Sequence, residues 1–168
     1  TGFGIAENYA LYPERRTAEG KNLRAFVRFA TKEREQIMVK VAISAVDVEG
    51  AEKNLREEAQ GWDFEKFRTA ADRAWETELG AIEVSGGSTE QLRTFYSALY
   101  HVMLTPNVFS DVDGRYRGMD GTIRKADGFT MYTVFSLWDT FRAEHPLLSI
   151  IDQTRTRDFV RSLVAKAQ

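Results

Sequence analysis

Ser88-Thr89-Glu90-Gln91-Leu92-Arg93-Thr94-Phe95-Tyr96-Ser97-Ala98-Leu99-Tyr100-His101-Val102-Met103 divides this chain. The first four residues read as a capping box, with the Ser88 hydroxyl and the Gln91 amide placed to satisfy free amides at a helix start. Leu92, Phe95, Tyr96, Leu99 and Met103 then share one helical face, and the helix must stop before Pro106. Ser85-Gly86-Gly87 punctuates the chain just upstream, and Ala81-Ile82-Glu83-Val84 before it reads as a short strand.

Further upstream the hydrophobic period changes. Asp63 precedes Phe64, Phe67, Ala71, Ala74, Trp75 and Leu79, an apolar stripe of helical spacing. A shorter helix over about Val48–Glu58, ending near Gly61, comes first; its charges form a solvated face with Glu49–Lys53 and Glu52–Arg56 pairs. Before Asp47 the period is two. Leu23, Ala25, Val27 and Phe29 alternate with other residues, as do Ile37, Val39, Val41, Ile43 and Ala45, and the polar run Lys32-Glu33-Arg34-Glu35 lies between. This predicts an antiparallel hairpin with one buried face. Two strands alone are marginal in water, so the hairpin is expected to belong to a larger sheet whose other strands precede Thr1.

Downstream, Asp-Gly recurs at Asp113-Gly114, Asp120-Gly121 and Asp127-Gly128. Glycine takes positive φ without strain, so each pair signals a tight turn. Arg115-Tyr116-Arg117 and Thr122-Ile123-Arg124 are short extended pieces between them, which predicts a β excursion between helices. Asp111-Val112-Asp113-Gly114 lacks the third oxygen ligand and the later glycine of an EF-hand loop, so the turn reading is preferred to a calcium loop. Phe159, Val160, Leu163, Val164 and Ala167 form a last amphipathic helix, unfinished at Gln168, and there is no initiator Met. Both ends are therefore expected to be cut.

Composition narrows the function classes. The chain has 168 residues, 43% hydrophobic and 29% charged, as a globular sequence does. A net charge of -2 gives no electrostatic reason to expect nucleic acid. No apolar run reaches bilayer length, and the absence of cysteine excludes disulfides, thiolate zinc sites and a thiol nucleophile. His101 and His145 are too far apart in sequence to form a helix-borne metal pair. Each reads as packed or at a helix end, His145 where the dipole favours a cation.

Phe135-Ser136-Leu137-Trp138-Asp139-Thr140-Phe141-Arg142, just before His145-Pro146, carries the chemistry. An indole face, a carboxylate acceptor and a guanidinium fork are groups that bind a polyhydroxylated ring by stacking and hydrogen bonds. The plainer reading of a Trp-Asp pair opening a helix is a buried indole beside an N-terminal carboxylate.

Three stretches in order, Phe95 to His101, Pro106 to Gly118 and Phe135 to Arg142, resemble glycoside hydrolase family 92. The resemblance runs over nearly the whole chain and implies a fragment of a calcium-dependent, inverting exo-α-mannosidase. It implies an α+β fold: antiparallel strands of a β-sandwich edge, linker helices, then the opening helices of an α/α barrel with a β-turn-rich insertion. The corresponding boundaries are 1–47 for the end of the sandwich, 48–87 for the linker and 88–168 for the start of the barrel. Calcium ligands, catalytic acid and catalytic base are expected outside this fragment, so no catalytic residue and no metal ligand is assigned within it.

For Asp139 the resemblance implies hydrogen bonds to hydroxyls of a terminal mannose, with Trp138 and Arg142 supporting the pocket. The implied partners are mannose-containing glycans, with no nucleic acid and no membrane segment in the fragment. The implied location is secreted, periplasmic or cell-surface. The isolated fragment is expected to be inactive. The alternative is a non-catalytic carbohydrate-binding or interdomain scaffold module, in which the same cluster binds sugar without hydrolysing it.

Overall fold

Asn8 and Tyr9 take positive φ, 47° and 73°, and turn the chain back on itself after Glu7. In the computed structural model, which describes residues 2–167, this turn joins β1 (Gly2–Glu7) to β2 (Ala10–Pro13). Two positive-φ residues at the tip match the right-handed twist of paired strands. β3 (Leu23–Arg28) pairs antiparallel with the other edge of β1, Phe3 facing Val27 and Ile5 facing Ala25, so the order is β2-β1-β3. Gly4 permits this packing: a Cβ there would stand 2.6 Å from the Phe26 ring and 2.5 Å from the Tyr12 carbonyl oxygen. This sheet lies in a first unit, Thr1–Val39; the remainder, Lys40–Gln168, forms a second.

The sheet corrects the predicted hairpin. β3 is a strand, but its partner is β1, and Ile37–Ala45 forms no strand. Two strands of the sheet thus lie at the start of this chain rather than before it. The glycines of Gly2-Phe3-Gly4 hid β1 from a reading based on apolar alternation. Within 40–44 the period of two persists with its faces exchanged: Val41 and Ile43 are 82% and 83% exposed. Lys40, Ala42 and Ser44 are partly covered, as is Ala45, where the alternation ends. The Lys40 ammonium lies 4.4 Å from the Trp62 ring centre and donates to the Ala59 carbonyl.

The second unit is built on capped helices. Asp47 caps α1 (Val48–Glu58), accepting from Gly50 N at 2.6 Å, and Asp63 caps α2 (Phe64–Leu79), accepting from Lys66 N at 3.1 Å. The surface pairs on α1 are present, Lys53 to Glu49 at 3.1 Å and Arg56 to Glu52 at 2.9 Å. The capping box of α3 (Thr89–Val102) closes as expected, Ser88 N donating to Gln91 Oε1 at 2.8 Å and Gln91 N to Ser88 Oγ at 3.3 Å. The short strand predicted at Ala81–Val84 is not one; Tyr96 Oη instead donates to Ile82 O and accepts from Val84 N, both at 3.4 Å.

After α3 the turn-rich excursion appears. β4 (Asn107–Val108) pairs with β7 (Tyr132–Thr133), enclosing a hairpin of β5 (Arg115–Arg117) and β6 (Ile123–Lys125). Gly114, Gly121 and Gly128 all take positive φ, as their Asp-Gly pairs required. Tyr116, Ala126 and Met131 form a small core inside the excursion, with Phe109, Phe129 and Ala165 packed on it. Three helices follow: α4 (Leu137–Thr140), α5 (Glu144–Ile151) and α6 (Gln153–Ala167).

α6 fixes where the excursion ends. Ser162 is fully buried, and its small hydroxyl accepts from Tyr132 N at 2.9 Å and donates to Thr130 O at 3.3 Å. Asp158 accepts from Thr130 N at 3.0 Å, and Arg161 donates to Gly128 O at 2.6 Å. A polar helix face thereby satisfies the Tyr132 amide of β7 and backbone groups of the loop before it.

Candidate functional site

Directly after β7 the exposed Val134 takes φ 63°, a rare conformation for a β-branched residue, and redirects the chain into the Trp-Asp segment. α4 is a single turn. The Ser136 carbonyl accepts from Asp139 N at 3.0 Å, Thr140 N at 3.2 Å and the Thr140 hydroxyl at 3.1 Å. The Ser136 hydroxyl does not cap the helix; it donates to Asp139 Oδ2.

Trp138 is 85% exposed, so none of the described residues buries this indole as the plainer reading required. Leu137 and Phe141 are also exposed, and together they make an apolar rim beside a carboxylate. Arg142 lies just beyond α4 in the turn before α5, its guanidinium 5.7 Å from the Phe141 ring centre. Trp138 and Asp139, adjacent on the turn, are both exposed. Among the described residues Asp139 takes its hydrogen bond from Ser136, not from Arg142.

The turn is fastened to the interior through Phe159 of α6, which is 3% exposed. Phe135 meets that ring edge-on at 5.6 Å and His145 at 5.9 Å. Lys166 covers the Phe135 ring at 4.6 Å, and burial lowers its pKa. His145 stands in the first turn of α5, so the sequence-based placement at a dipole-favoured end is corrected; the N-terminal end of a helix disfavours a cation. Glu144 beside it has a buried Oε1 with no hydrogen-bond partner. Desolvation pushes its carboxyl above the usual range, opposed by the nearby His145.

Asp111 and Asp113 are already engaged. Asp111 is buried, with Oδ2 accepting from Ser44 Oγ at 2.7 Å and Oδ1 from Asn54 Nδ2 at 2.9 Å. Asp113 accepts from Arg115 N and Nε and pairs with Lys53, and these bonds hold its carboxyl below the usual range. The carboxylates of Asp111-Val112-Asp113-Gly114 thus bind protein groups, as the turn reading expected. Among the described residues no three acidic or histidine side chains stand together as a metal-binding group.

A cleft of about 320 Å³ opens elsewhere in this unit, lined by Trp75, Pro106, Tyr132, Leu148, Arg155 and Phe159 among others. Its charged rim is internally matched: Arg155 donates to Glu78 at 2.7 Å and pairs with Asp152 at 3.1 Å. Trp138, Asp139 and Arg142 do not line it. Sequence reasoning missed Ser136, Thr140 and His145 as supports of the turn. The Ser136 signal was available, since a serine three residues before an aspartate on one turn can reach it. The others required knowing that Phe159 lies beneath.

Residues 50–168 match the glycosyl hydrolase family 92 catalytic domain. The chain is similar over 99% of its length to a family 92 α-mannosidase of Bacteroides thetaiotaomicron, with 39% identity and a TM-score of 0.89. A structure described as that enzyme in complex with mannoimidazole matches at 40% identity, with a TM-score of 0.88 over the same share. An inverting mannosidase of the same family and species matches over 99% of the chain at 26% identity, with a TM-score of 0.79. An uncharacterized secreted glycosidase of Arthroderma benhamiae is 37% identical over 79 residues, 45% of this chain and 10% of that protein. The chain covers 23% of the first mannosidase, 22% of its mannoimidazole complex and 23% of the inverting enzyme.

Proposed function

The chain belongs to glycosyl hydrolase family 92, and on that premise we propose that it forms part of a calcium-dependent exo-α-mannosidase that inverts the anomeric centre. The observation that carries this reading is likeness in sequence and fold, over almost the whole chain, to an α-mannosidase captured with mannoimidazole. The exposed Trp138 and Asp139 on one turn fit it. In this reading residues 1–47 end a β-sandwich, 48–87 link it onward, and 88–168 open an α/α barrel. The enzyme acts on mannose-terminated glycans and is secreted, periplasmic or displayed at the cell surface, in keeping with the secreted relative.

The chemistry divides between this chain and the rest of the enzyme. An inverting glycosidase needs one carboxylic acid to protonate the leaving oxygen and one carboxylate to activate water on the opposite face. We place both outside residues 1–168, together with the calcium ligands. The residues supplied here bind and orient. Asp139 oxygens accept hydrogen bonds from sugar hydroxyls, the Trp138 indole offers a face for the apolar side of the ring, and Arg142 supports the pocket edge. A contact of this kind raises turnover only as far as it tightens in the transition state.

The test is hydrolysis of an aryl α-mannoside by the full-length enzyme, with and without a chelator. Chelator-sensitive release of β-mannose supports the proposal; retention of the α anomer, or no mannoside hydrolysis, overturns it. An enzyme that binds mannose yet hydrolyses no mannoside would instead make this chain part of a carbohydrate-binding module.

A further inference from the structure

We infer that Thr140 and His145 are positioning residues that hold Asp139 and Trp138 in register for the sugar, through a line of contacts fastened to the buried ring of Phe159. The inference rests on reading this turn as the sugar-binding surface. A lone helical turn does not sustain itself, because fixing its dihedrals costs more than its few hydrogen bonds return. α4 has no side-chain cap at its N-terminus, and three of its neighbouring apolar side chains, Leu137, Trp138 and Phe141, face solvent. Within this chain, its geometry is held from its flanks.

Both flanks end on one residue. Phe135 upstream and His145 downstream meet the Phe159 ring edge-on, so the nine residues from 136 to 144 are strung between two side chains on a single anchor. Polar contacts then carry the constraint outward. His145 Nε2 lies 2.8 Å from Thr140 Oγ1, and Thr140 Oγ1 lies 3.1 Å from the Ser136 carbonyl. A hydroxyl has one proton. With that proton given to Ser136 O, the Thr140 oxygen accepts from an Nε2–H of His145, and both bonds form together.

Ser136 is thereby held by its carbonyl, and its hydroxyl donates to Asp139 Oδ2. Asp139 Oδ1 has no protein partner among the described residues and is left for a ligand hydroxyl. The line runs from the Phe159 ring through imidazole, threonine and serine to the carboxylate. None of Thr140, His145 or Phe159 needs to touch the sugar.

The experiment uses the full-length enzyme with an aryl α-mannoside, comparing Thr140→Val, Thr140→Ser, His145→Ala, His145→Gln and Asp139→Ala. Small misplacements of a binding group cost about tenfold to a hundredfold, so Thr140→Val and His145→Ala are expected to lower kcat/KM by that range, mostly in kcat. Thr140→Ser keeps the hydroxyl and His145→Gln keeps an N–H donor, so both are expected to stay within about threefold of the parent. Tryptophan emission of Thr140→Val, measured against Trp138→Phe, is expected to show a more readily quenched Trp138 at an unchanged melting temperature.

If Thr140→Val and His145→Ala both keep parental kcat/KM while Asp139→Ala loses it, the positioning role is wrong and the sugar-binding surface stands. Should Thr140→Ser lose as much as Thr140→Val, the hydroxyl is not the working group and the inference falls. If Asp139→Ala itself is fully active, the reading of the surface fails first, and this inference with it.

Discussion

Asn54 Nδ2 donates to Asp111 Oδ1 at 2.9 Å, tying α1 to the turn excursion across 57 positions of sequence. Asn54 Oδ1 accepts from Val112 N at 2.9 Å, and Asn54 Nδ2 also donates to Ile43 O at 3.0 Å. One buried amide thus serves two separate chain segments, at Ile43 and at Asp111-Val112. Arg117 adds to the junction, donating to Ala45 O at 2.7 Å and Val46 O at 3.0 Å. Fully satisfied networks of this kind fix a single arrangement, and losing one member strands its buried partners.

Gly50 is the tightest point of that junction. A Cβ there would lie 2.3 Å from Asp111 Oδ2 and 2.7 Å from Ser44 Oγ. In an open helix, replacing glycine by alanine stabilises by about 1 kcal/mol. At this position the sign reverses, and Gly50→Ala is expected to cost about 1–3 kcal/mol through overpacking. Urea unfolding of the two proteins checks it; a stabilised variant would show that the network yields freely.

Glu144 makes stability depend on pH in a defined direction. Burial raises its carboxyl in the folded chain, so the folded state binds its proton more tightly than the unfolded state. Stability is then lost as pH rises from the ordinary glutamate range through the raised value. Glu144→Gln is expected to melt higher than the parent at neutral pH, with the gap closing below about pH 4. Thermal melts at both pH values decide it, and a gap independent of pH contradicts the assignment.

Asp139 is expected to bind substrate without transferring a proton. Losing a charge-assisted bond to a sugar hydroxyl costs about 1.5–3 kcal/mol, so Asp139→Ala in the full-length enzyme should lower kcat/KM correspondingly. The pH–rate profile of Asp139→Asn is expected to keep both limbs, because the proposal places the groups that set them outside residues 1–168. Loss of one limb would make Asp139 the acid or base.

Amides of Ile37–Ile43 are expected to exchange faster than those around Leu99. The segment belongs to no strand, and its apolar side chains are exposed, whereas Leu99 is buried within α3. Hydrogen exchange on monomeric chain measures this directly. Equal protection in both regions would mean that the segment is covered in a way this chain does not show.

Residues 1–168 alone are expected to leave an aryl α-mannoside intact, since no catalytic acid, base or metal ligand is assigned among them. Reproducible, chelator-sensitive hydrolysis by the purified chain would overturn that placement.

The helices were legible because their signals are local. Asp47, Asp63 and Ser88 cap the helices that follow them, and the Asp-Gly pairs make the turns they announce, because caps and positive-φ glycines act within a few residues. The residue types of the Trp-Asp segment suggest a sugar-binding role from the sequence alone, and that role remains a proposal. Partnership was not. Alternation marked β3 as a strand but could not name β1 as its neighbour, and in 40–44 the partly covered residues are Lys40, Ala42 and Ser44 rather than the apolar Val41 and Ile43. Whether Trp138 was core or surface, and which groups hold Asp139, depended on where Phe159 comes to lie beneath residues 135 and 145. That is a long-range packing outcome, and only the tertiary structure decides it.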